Sequence, residues 1–348
     1  MRRTTLPGTD VNISTLCLGT MNFGQQCTEA DGHEQLDFAV ANGINFFDTA
    51  EMYPVPPEKE KQGQTETYIG NWLKKRGKRD DLVIATKVSS RNQATTMGTR
   101  DATKGLTRES IFEAIEGSLG RLQTEYVDLY QVHTPERHTN FFGRRGVESL
   151  DSDDGVPIEE TLSALGELVK AGKVRYVGVS NETPWGVMEY LRLSREEGLP
   201  RIVTIQNQYG ILSRGFEVGL SEMCMRENVG LLPYSILNRG VISGKYLGGA
   251  QPPGARFTRW ERDRERYNPS RVQEPVRRYI ELAQKFGMDP TQMAIAFVSS
   301  RPFAPSTIIA VTNMEQLKSN IAADDIQLSA EILAEIHKLY TEMPDPTC

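Results

Sequence analysis

Short apolar runs alternate along the chain with longer segments in which apolar residues recur every three or four positions. The short runs predict eight strands, at 16–18, 44–47, 82–86, 127–132, 174–179, 202–205, 229–233 and 307–311. The longer segments predict helices at 30–41, 65–75, 107–122, 158–171, 184–196, 216–227 and 290–300. Alternating strands and helices with short connections imply parallel strands and right-handed crossovers. Eight such units favour an α/β fold of the (β/α)8 TIM-barrel type over an open sheet.

The segments between these elements add further expectations. Residues 2–15 place Pro7-Gly8 between two threonine-rich arms, which predicts a β-hairpin that closes the barrel floor. Long polar connections follow strands at 89–106, 134–157 and 235–270, so we expect them at the C-terminal mouth, where barrel enzymes hold their active sites. The charged run at 259–266 is typical of a solvated helical turn. We expect a single barrel domain over 1–348.

Composition excludes several classes of partner. The formal net charge of -6 at pH 7 argues against nucleic-acid or anionic-membrane binding, because both need a basic face. The chain shows neither a signal peptide nor an apolar run of about 18 residues. Its cysteines form no C-x-x-C pair, so we expect reduced thiols in a cytoplasmic protein rather than a zinc ribbon or a redox site. The cysteines are Cys17, Cys27, Cys224 and Cys348.

Polar or ionisable residues follow the second to the seventh predicted strands. They are Asp48, Lys87, His133, Ser180, Asn181, Gln206, Asn207, Tyr234 and Ser235. Because the C-terminal ends of barrel strands meet at one mouth, we expect these side chains to converge there.

Asp48, Lys87, His133 and the nearby Tyr53 suit the polarisation of a carbonyl group. An ion pair with Asp48 keeps Lys87 charged, and a cation near a phenol lowers the phenol pKa from its ordinary value of ~10. Tyr53, five residues after Asp48 on the same loop, has the reach to be that phenol and to donate a proton to a carbonyl oxygen. His133 can give the same oxygen a second hydrogen bond. This set has no nucleophile and no metal cluster, so it needs an external reductant.

A cofactor cradle can be drawn from the same strand ends. No G-x-G-x-x-G follows a strand, so a Rossmann site is not indicated. Tyr234 offers a flat face for stacking, and the glycine-containing loop after it, with Lys245, suits a pyrophosphate. The segment 311–320 opens a helix whose N-terminus favours a phosphate. Carboxamide contacts would come from Ser180, Asn181 and Gln206.

These segments resemble the aldo-keto reductase superfamily over residues 16–339. The most specific are LGTMNFG, NFFDTAEMY, ATK, DLYQVH, VGVSN, IQNQY, YSILNRGVISGKY and IIAVTNMEQLKSN, which follow the order and spacing of that family. The chain is most similar to the bacterial Tas-like branch, and it also resembles the potassium-channel beta subunits. The resemblance implies a (β/α)8 barrel that binds NADPH without a Rossmann unit and reversibly reduces an aldehyde or ketone to an alcohol. A small-molecule substrate is implied, and the chain is expected to be a monomer or a homo-oligomer.

The resemblance also implies residue roles. Tyr53 matches the general acid of the family's catalytic tetrad, and Asp48, Lys87 and His133 match its other members. Substrate contacts are expected from Phe23, Tyr53 and His133, with His138, Asn140, Phe141 and Phe142 as candidates in the 134–157 loop. Cofactor contacts are expected from Thr20, Met21, Asp48, Ser180, Asn181, Gln206, Tyr234, Ser235, Leu237, Gly240, Lys245, Arg256, Thr312, Gln316 and Asn320.

The chain departs from the family pattern at the adenosine end of the cofactor. Ala310, Asn313 and Ser319 stand where many members have glycine, lysine and glutamate. Fewer cations near the 2′-phosphate weaken the preference for NADPH over NADH, but Lys245 and Arg256 can compensate, so NADPH is favoured.

Two other functions remain open at this point. A regulatory or binding module that senses NADPH with weak turnover is suggested by the channel subunits. An aldolase would use Lys87 as a Schiff-base lysine, although an adjacent Asp48 would keep that lysine protonated.

Overall fold

The computed structural model describes residues 1–140, 147, 149, 155–260, 264 and 270–347. Among these residues the strands are, in chain order, β1 (Arg3–Thr5), β2 (Asn12–Ser14), β3 (Leu16–Gly19), β4 (Phe46–Asp48), β5 (Val83–Val88), β6 (Val127–Val132), β7 (Val174–Ser180), β8 (Ile202–Gln206), β9 (Gly230–Leu231) and β10 (Thr307–Ile309). Strands β3 to β10 form one parallel sheet in the order β10-β3-β4-β5-β6-β7-β8-β9. The N–H of Ile308 donates to the carbonyl oxygen of Pro233 at 3.2 Å, which joins the two ends of the sheet. The predicted (β/α)8 barrel is confirmed.

Helices cover the outside of the sheet. The described residues form α1 (Glu29–Ala41), α2 (Gln64–Arg76), α3 (Arg108–Leu122), α4 (Ile158–Lys170), α5 (Pro184–Glu197), α6 (Leu220–Glu227), α7 (Ser270–Lys285), α8 (Pro290–Ser299), α9 (Met314–Ala322) and α10 (Ala330–Glu342). Asp289 caps α8 by accepting from the N–H groups of Thr291 and Gln292, and Pro290 begins the helix. The predicted helix at 216–227 is instead a short 3-10 turn followed by α6. Helices α7 and α10 were not predicted.

The barrel strands are apolar because both of their faces are covered. Inward-facing side chains such as Phe46, Leu129 and Val203 form one buried cluster, and the outward-facing ones pack against the helices. The antiparallel β1–β2 hairpin adds Leu6 and Ile13 to the inner cluster. The hairpin therefore closes the floor of the barrel, as predicted.

Close packing of α2 against α3 depends on a glycine. A Cβ atom on Gly70 would lie 2.0 Å from the carbonyl oxygen of Arg121. No larger residue fits there unless the two helices move apart.

The three long connections all follow strands of the barrel. Their parts at 141–146, 148, 150–154, 261–263 and 265–269 lie outside the described residues, and with them Phe141, Phe142 and most of the charged run at 259–266. In the part of the chain that the structure covers, no helix is both long and apolar enough to cross a membrane.

Candidate active site

The predicted catalytic side chains lie together at the C-terminal end of the barrel strands. Asp48 is the last residue of β4, and His133 directly follows β6. Lys87 was expected to follow its strand, but β5 extends through Val88, so Lys87 projects from the strand itself. The N–H of His133 donates to the carbonyl oxygen of Val88 at 2.9 Å, which ties two of these strand ends together.

Asp48 and Lys87 form a buried ion pair. The Nζ atom of Lys87 lies 2.6 Å from Oδ2 of Asp48, and it also donates to the carbonyl oxygen of Thr49 at 2.7 Å. The lysine and aspartate side chains are 0% and 4% exposed. Burial by itself lowers the pKa of Lys87, but Asp48 and Tyr53 raise it by more, so the net pKa lies above the ordinary lysine value. Lys87 is therefore charged at neutral pH, as predicted.

The loop 49–52 returns Tyr53 to this ion pair. Its hydroxyl lies 3.4 Å from the Nζ atom of Lys87, and its ring meets the His133 ring edge to face with centroids 5.7 Å apart. The predicted direction of its pKa is wrong. Burial raises the pKa of Tyr53, and the Lys87 cation offsets only part of that rise. The phenol therefore keeps its proton at neutral pH.

His133 is neutral in this environment. Burial lowers the pKa of His133 well below its ordinary value, and the Lys87 cation lowers it further. Its Nδ1 atom is buried with no hydrogen-bond partner among the described residues. A neutral imidazole still carries one N–H group, so His133 can donate one hydrogen bond.

A second buried ion pair, which the sequence did not reveal, holds the loop that carries Tyr53. Arg100 donates to both carboxylate oxygens of Glu51, at 3.0 and 2.8 Å, and to the carbonyl oxygen of Ser89 at 2.8 Å. The N–H of Ser89 completes the ring by donating to Glu51 at 2.6 Å. The connections after β4 and β5 are therefore fixed to each other two residues from Tyr53.

Gln131 is another buried polar residue that the sequence analysis missed. It lies in β6 opposite Lys87 of β5 and is 0% exposed. Its Nε2 atom donates to Oδ1 of Asp48 at 3.2 Å, and Nε2 of Gln206 donates to the same oxygen at 2.8 Å. A glutamine inside the mostly apolar run of β6, which also holds Asp128, was the signal available in the sequence.

The residues predicted to hold a carboxamide form one hydrogen-bonded group. Asn181 donates to the carbonyl oxygen of His133 at 2.8 Å and to the Ser180 hydroxyl at 3.0 Å. Tyr234 donates to Oδ1 of Asn181 at 2.5 Å, and the Ser180 hydroxyl donates to the carbonyl oxygen of Gln206 at 2.7 Å. The structure thus brings Ser180, Asn181, Gln206 and Tyr234 together beside the ion pair.

The loop after Tyr234 adopts a run of left-handed backbone conformations. Ser235, Asn238, Arg239 and Gly240 have φ values of 54°, 46°, 57° and 87°. Successive residues of this kind turn backbone N–H groups into one concavity, which suits an anion. The same loop includes Leu237, which packs partly buried against the core.

Lys245 lies against this loop. A Cβ atom at position 240 would lie 3.0 Å from the Nζ atom of Lys245, so glycine lets the lysine approach the backbone. The Lys245 side chain is exposed, although partial desolvation by the surrounding protein still lowers its pKa. Within the described ranges no carboxylate forms an ion pair with it. An accessible cation beside a concave backbone fits a phosphate group.

The chain end at 344–347 braces the same loop. The amide of Asn238, which is 0% exposed, donates to the hydroxyl of Thr347 at 3.0 Å and to that of Ser213 at 3.2 Å. Thr347 in turn donates to the carbonyl oxygen of Leu212 at 3.0 Å. The left-handed conformation of Asn238 is therefore held from behind by side chains far away in sequence.

The chain is similar to a family model and to several known proteins over nearly its whole length. The model of the aldo/keto reductase family matches residues 15–341. Protein tas of Escherichia coli (strain K12) is 52% identical over 339 residues, which cover 97% of each chain. The uncharacterized oxidoreductase YrpG of Bacillus subtilis is 31% identical, with 98% of this chain and 96% of that protein covered. The norsolorinic acid reductase stcV of Emericella nidulans is 30% identical, with 95% and 79% covered.

This chain belongs to the aldo/keto reductase family. It is therefore an oxidoreductase that acts on carbonyl groups, and its reductant is a nicotinamide cofactor.

The remaining predicted cofactor residues of this aldo/keto reductase lie around the same mouth. Thr20 is fully buried and donates through its hydroxyl to the carbonyl oxygen of Asp48 at 2.8 Å. Met21 packs against the small buried cluster that contains Tyr53. Arg256 is 7% exposed, with its guanidinium carbon 5.6 Å from the centre of the Trp260 ring.

The adenosine end of the predicted site is formed by the start of α9. Asn313, where many members have lysine, caps this helix by accepting from the N–H of Gln316 at 2.9 Å. Gln316 reaches back to accept from the N–H of Thr312 at 3.0 Å, and Asn320 is buried one turn further along. Asn313 thus serves the helix itself, which explains why an uncharged residue is accepted there.

Phe23, which was expected to contact substrate, packs in the outer core. It is 1% exposed, and its ring packs so closely on Gly32 of α1 that a Cβ there would lie 3.1 Å from it. The chain turns after β3 and directs this side chain into the outer core, and the contact of Phe23 with substrate stays a prediction. His138 and Asn140 are exposed on the 134–157 loop.

Proposed function

We propose that this protein reduces an aldehyde or ketone to the corresponding alcohol with NADPH, reversibly, and that Tyr53 donates the proton. The observation that carries the proposal is the Tyr53 hydroxyl 3.4 Å from the charged Nζ atom of Lys87, which is itself paired with Asp48 at 2.6 Å. Tyr53 keeps its proton at neutral pH, as a general acid must before the reaction begins.

The four side chains divide the chemistry between them. Tyr53 gives its proton to the carbonyl oxygen as charge develops there, and the Lys87 cation stabilises the phenolate that remains. Asp48 keeps Lys87 charged. His133, being neutral, donates a hydrogen bond to the same oxygen without repelling Lys87. NADPH supplies the hydride when it is bound.

We infer that the cofactor is held by the residues predicted for it. Ser180, Asn181 and Gln206 would hold the carboxamide, and Tyr234 would stack on the ring. The left-handed loop and Lys245 fit the pyrophosphate, since they join a concave backbone to a cation. We also infer that Arg256 supplies the cation that a 2′-phosphate needs, which favours NADPH over NADH.

The proposal also covers the substrate class, the partners, the cellular location and the domain organisation. We propose a small-molecule carbonyl substrate, with neither nucleic acid nor membrane as a partner, in a cytoplasmic protein with one domain over 1–348. A monomer and a homo-oligomer both agree with the fold.

Oxidation of NADPH and NADH, followed by absorbance across aldehydes, ketones and quinones, tests the reaction. Tyr53→Phe should lower kcat by roughly 10²-fold or more, the usual contribution of a general acid, with cofactor affinity unchanged. Tyr68→Phe, on the outer helix α2, is the matched control and should keep the parent rate. A Tyr53→Phe variant that kept the parent rate would exclude the proposed role.

The same measurements separate the alternatives. Tight NADPH binding without turnover over the whole panel would favour a sensing module. A Schiff base on Lys87 is disfavoured, because Asp48 and the Thr49 carbonyl hold its Nζ atom and its pKa is raised.

A further inference from the structure

The carboxylate of Asp48 is joined to two glutamines by a closed set of hydrogen bonds. Oδ1 of Asp48 accepts from Nε2 of Gln131 at 3.2 Å and from Nε2 of Gln206 at 2.8 Å. Nε2 of Gln206 also donates to Oε1 of Gln131 at 3.2 Å. We call Asp48, Gln131 and Gln206 the amide triangle.

The chemistry of the triangle fixes the orientation of both amides. Turning the Gln206 amide over would place its oxygen 2.8 Å from a carboxylate oxygen, and two acceptors at that distance repel. Turning the Gln131 amide over would set its oxygen against Asp48 and its NH2 group against the NH2 group of Gln206. The observed arrangement is thus the one in which every contact joins a donor to an acceptor.

This arrangement uses both hydrogens of the Gln206 amide. One goes to Asp48 and the other to Gln131, so the carbonyl oxygen Oε1 is the part of that amide left to meet a ligand. A carbonyl oxygen accepts from an N–H group and repels another carbonyl oxygen. The site should therefore distinguish a carboxamide, which offers N–H, from a group of the same size that offers none.

We propose that Gln131 is a positioning residue for the nicotinamide end of the cofactor. By accepting one hydrogen of Gln206, it keeps the Gln206 carbonyl oxygen directed to the carboxamide N–H. The proposal rests on the proposed function, because it assumes that Gln206 meets the carboxamide. Without Gln131 one N–H of Gln206 loses its buried partner, and the amide can rotate about its remaining hydrogen bond to Asp48 and offer the freed N–H to an acceptor on the ligand.

Binding constants of two cofactors test the proposal without any turnover. They are NADP+ and its 3-acetylpyridine analogue, in which a methyl ketone replaces the carboxamide. The parent protein should bind NADP+ roughly twofold to tenfold more tightly, the value of one neutral hydrogen bond. In Gln131→Met the ratio should fall below about twofold, because a freed N–H of Gln206 can donate to the ketone.

Two further variants separate orientation from general damage. Gln131→Glu keeps an oxygen that accepts from Gln206. Because the new carboxyl group lies beside the Asp48 carboxylate, it should be protonated at about pH 6. At that pH this variant should therefore show the parent ratio of the two binding constants. Gln123→Met, whose parent amide donates to Asn71 at 2.8 Å on the outside of the barrel, should also keep it. Affinity for 2′,5′-ADP, which has no nicotinamide, should be the same in all variants.

An unchanged ratio in Gln131→Met would overturn the proposal while leaving the proposed function intact. A fall of 2′,5′-ADP affinity in parallel with that of NADP+ would also overturn it, because the residue would then act on the fold as a whole. A parent protein that bound neither NADP+ nor NADPH would remove the proposed function and this inference together.

Discussion

The substitution Lys87→Met removes the cation of the buried ion pair and leaves Asp48 as an anion inside the barrel. Charges 2.6 Å apart attract each other by about 6 kcal/mol if the effective dielectric constant is about 20. This attraction offsets the several kcal/mol of desolvation free energy that burial costs each ion, so the intact pair contributes little net stability. If one partner is removed, the attraction is lost, but the desolvation penalty of the remaining buried ion stays.

We expect Lys87→Met to lower the free energy of unfolding by about 3 kcal/mol at neutral pH, the low end of the range for a broken buried pair. The low end applies because Gln131 and Gln206 still donate to Oδ1 of Asp48. Neutralising the anion as well should recover stability. The free energy of unfolding of the double variant Lys87→Met/Asp48→Asn should therefore be higher than that of Lys87→Met by at least about 1.5 kcal/mol, although the double variant carries one more substitution.

Urea unfolding followed by circular dichroism measures all of these free energies. Arg226→Met, at an ion pair whose side chains are 75% and 69% exposed, is the control and should cost less than about 1 kcal/mol. The reasoning fails if the double variant is no more stable than Lys87→Met within about 0.5 kcal/mol, the usual error of additivity.

Three other predictions concern packing, pH and the cofactor loop. Gly70→Ala should cost at least about 2 kcal/mol in urea unfolding because its methyl group would meet the Arg121 carbonyl, whereas Gly120→Ala, with open space around it, should cost nothing. Because the folded-state pKa of His133 is depressed, the free energy of unfolding should fall as the pH drops below about 6.5, by up to about 1.4 kcal/mol per pH unit. His133→Gln should remove this slope. Equal slopes in the parent and the variant would show that His133 is not a buried, neutral imidazole. Thr347→Val should weaken NADPH binding about fivefold at unchanged kcat, because Asn238 loses a hydrogen-bond acceptor; an unaltered affinity measured by nicotinamide fluorescence would contradict the bracing role.

The strands and the strand-end residues could be predicted because each depends on a local pattern. A parallel strand covered on both faces is an unbroken apolar run, and a polar residue at its end marks the barrel mouth. Asp48, Lys87 and His133 followed from that rule, and Tyr53 followed from its place on the loop five residues after Asp48. The start of helix α10 could also have been predicted, since Ser329 caps the helix by accepting from the N–H of Ile332. No described strand follows this helix, so the search for alternating strands and helices did not identify it.

Properties that depend on depth or side-chain direction could not be predicted. The sequence places a cation near Tyr53 but does not show how completely the phenol is buried, and burial decides the sign of its pKa shift. It places Phe23 after a strand end without showing that the chain then turns toward Gly32. Partners distant in sequence, such as Glu51 with Arg100 and Asn238 with Thr347, exist only after folding.

Asp48 and Lys87 lie on strands rather than on loops, and this position has a consequence for divergence within the family. Asp48 and Lys87 are fixed by the sheet that also forms the core, so substitutions around them threaten folding and chemistry together. Among the described residues of the 134–157 connection none belongs to a strand of the barrel, so this connection can change in length or composition at lower cost than the strands. Selection for a new substrate can therefore act on that loop while the proton-donating apparatus is inherited unchanged.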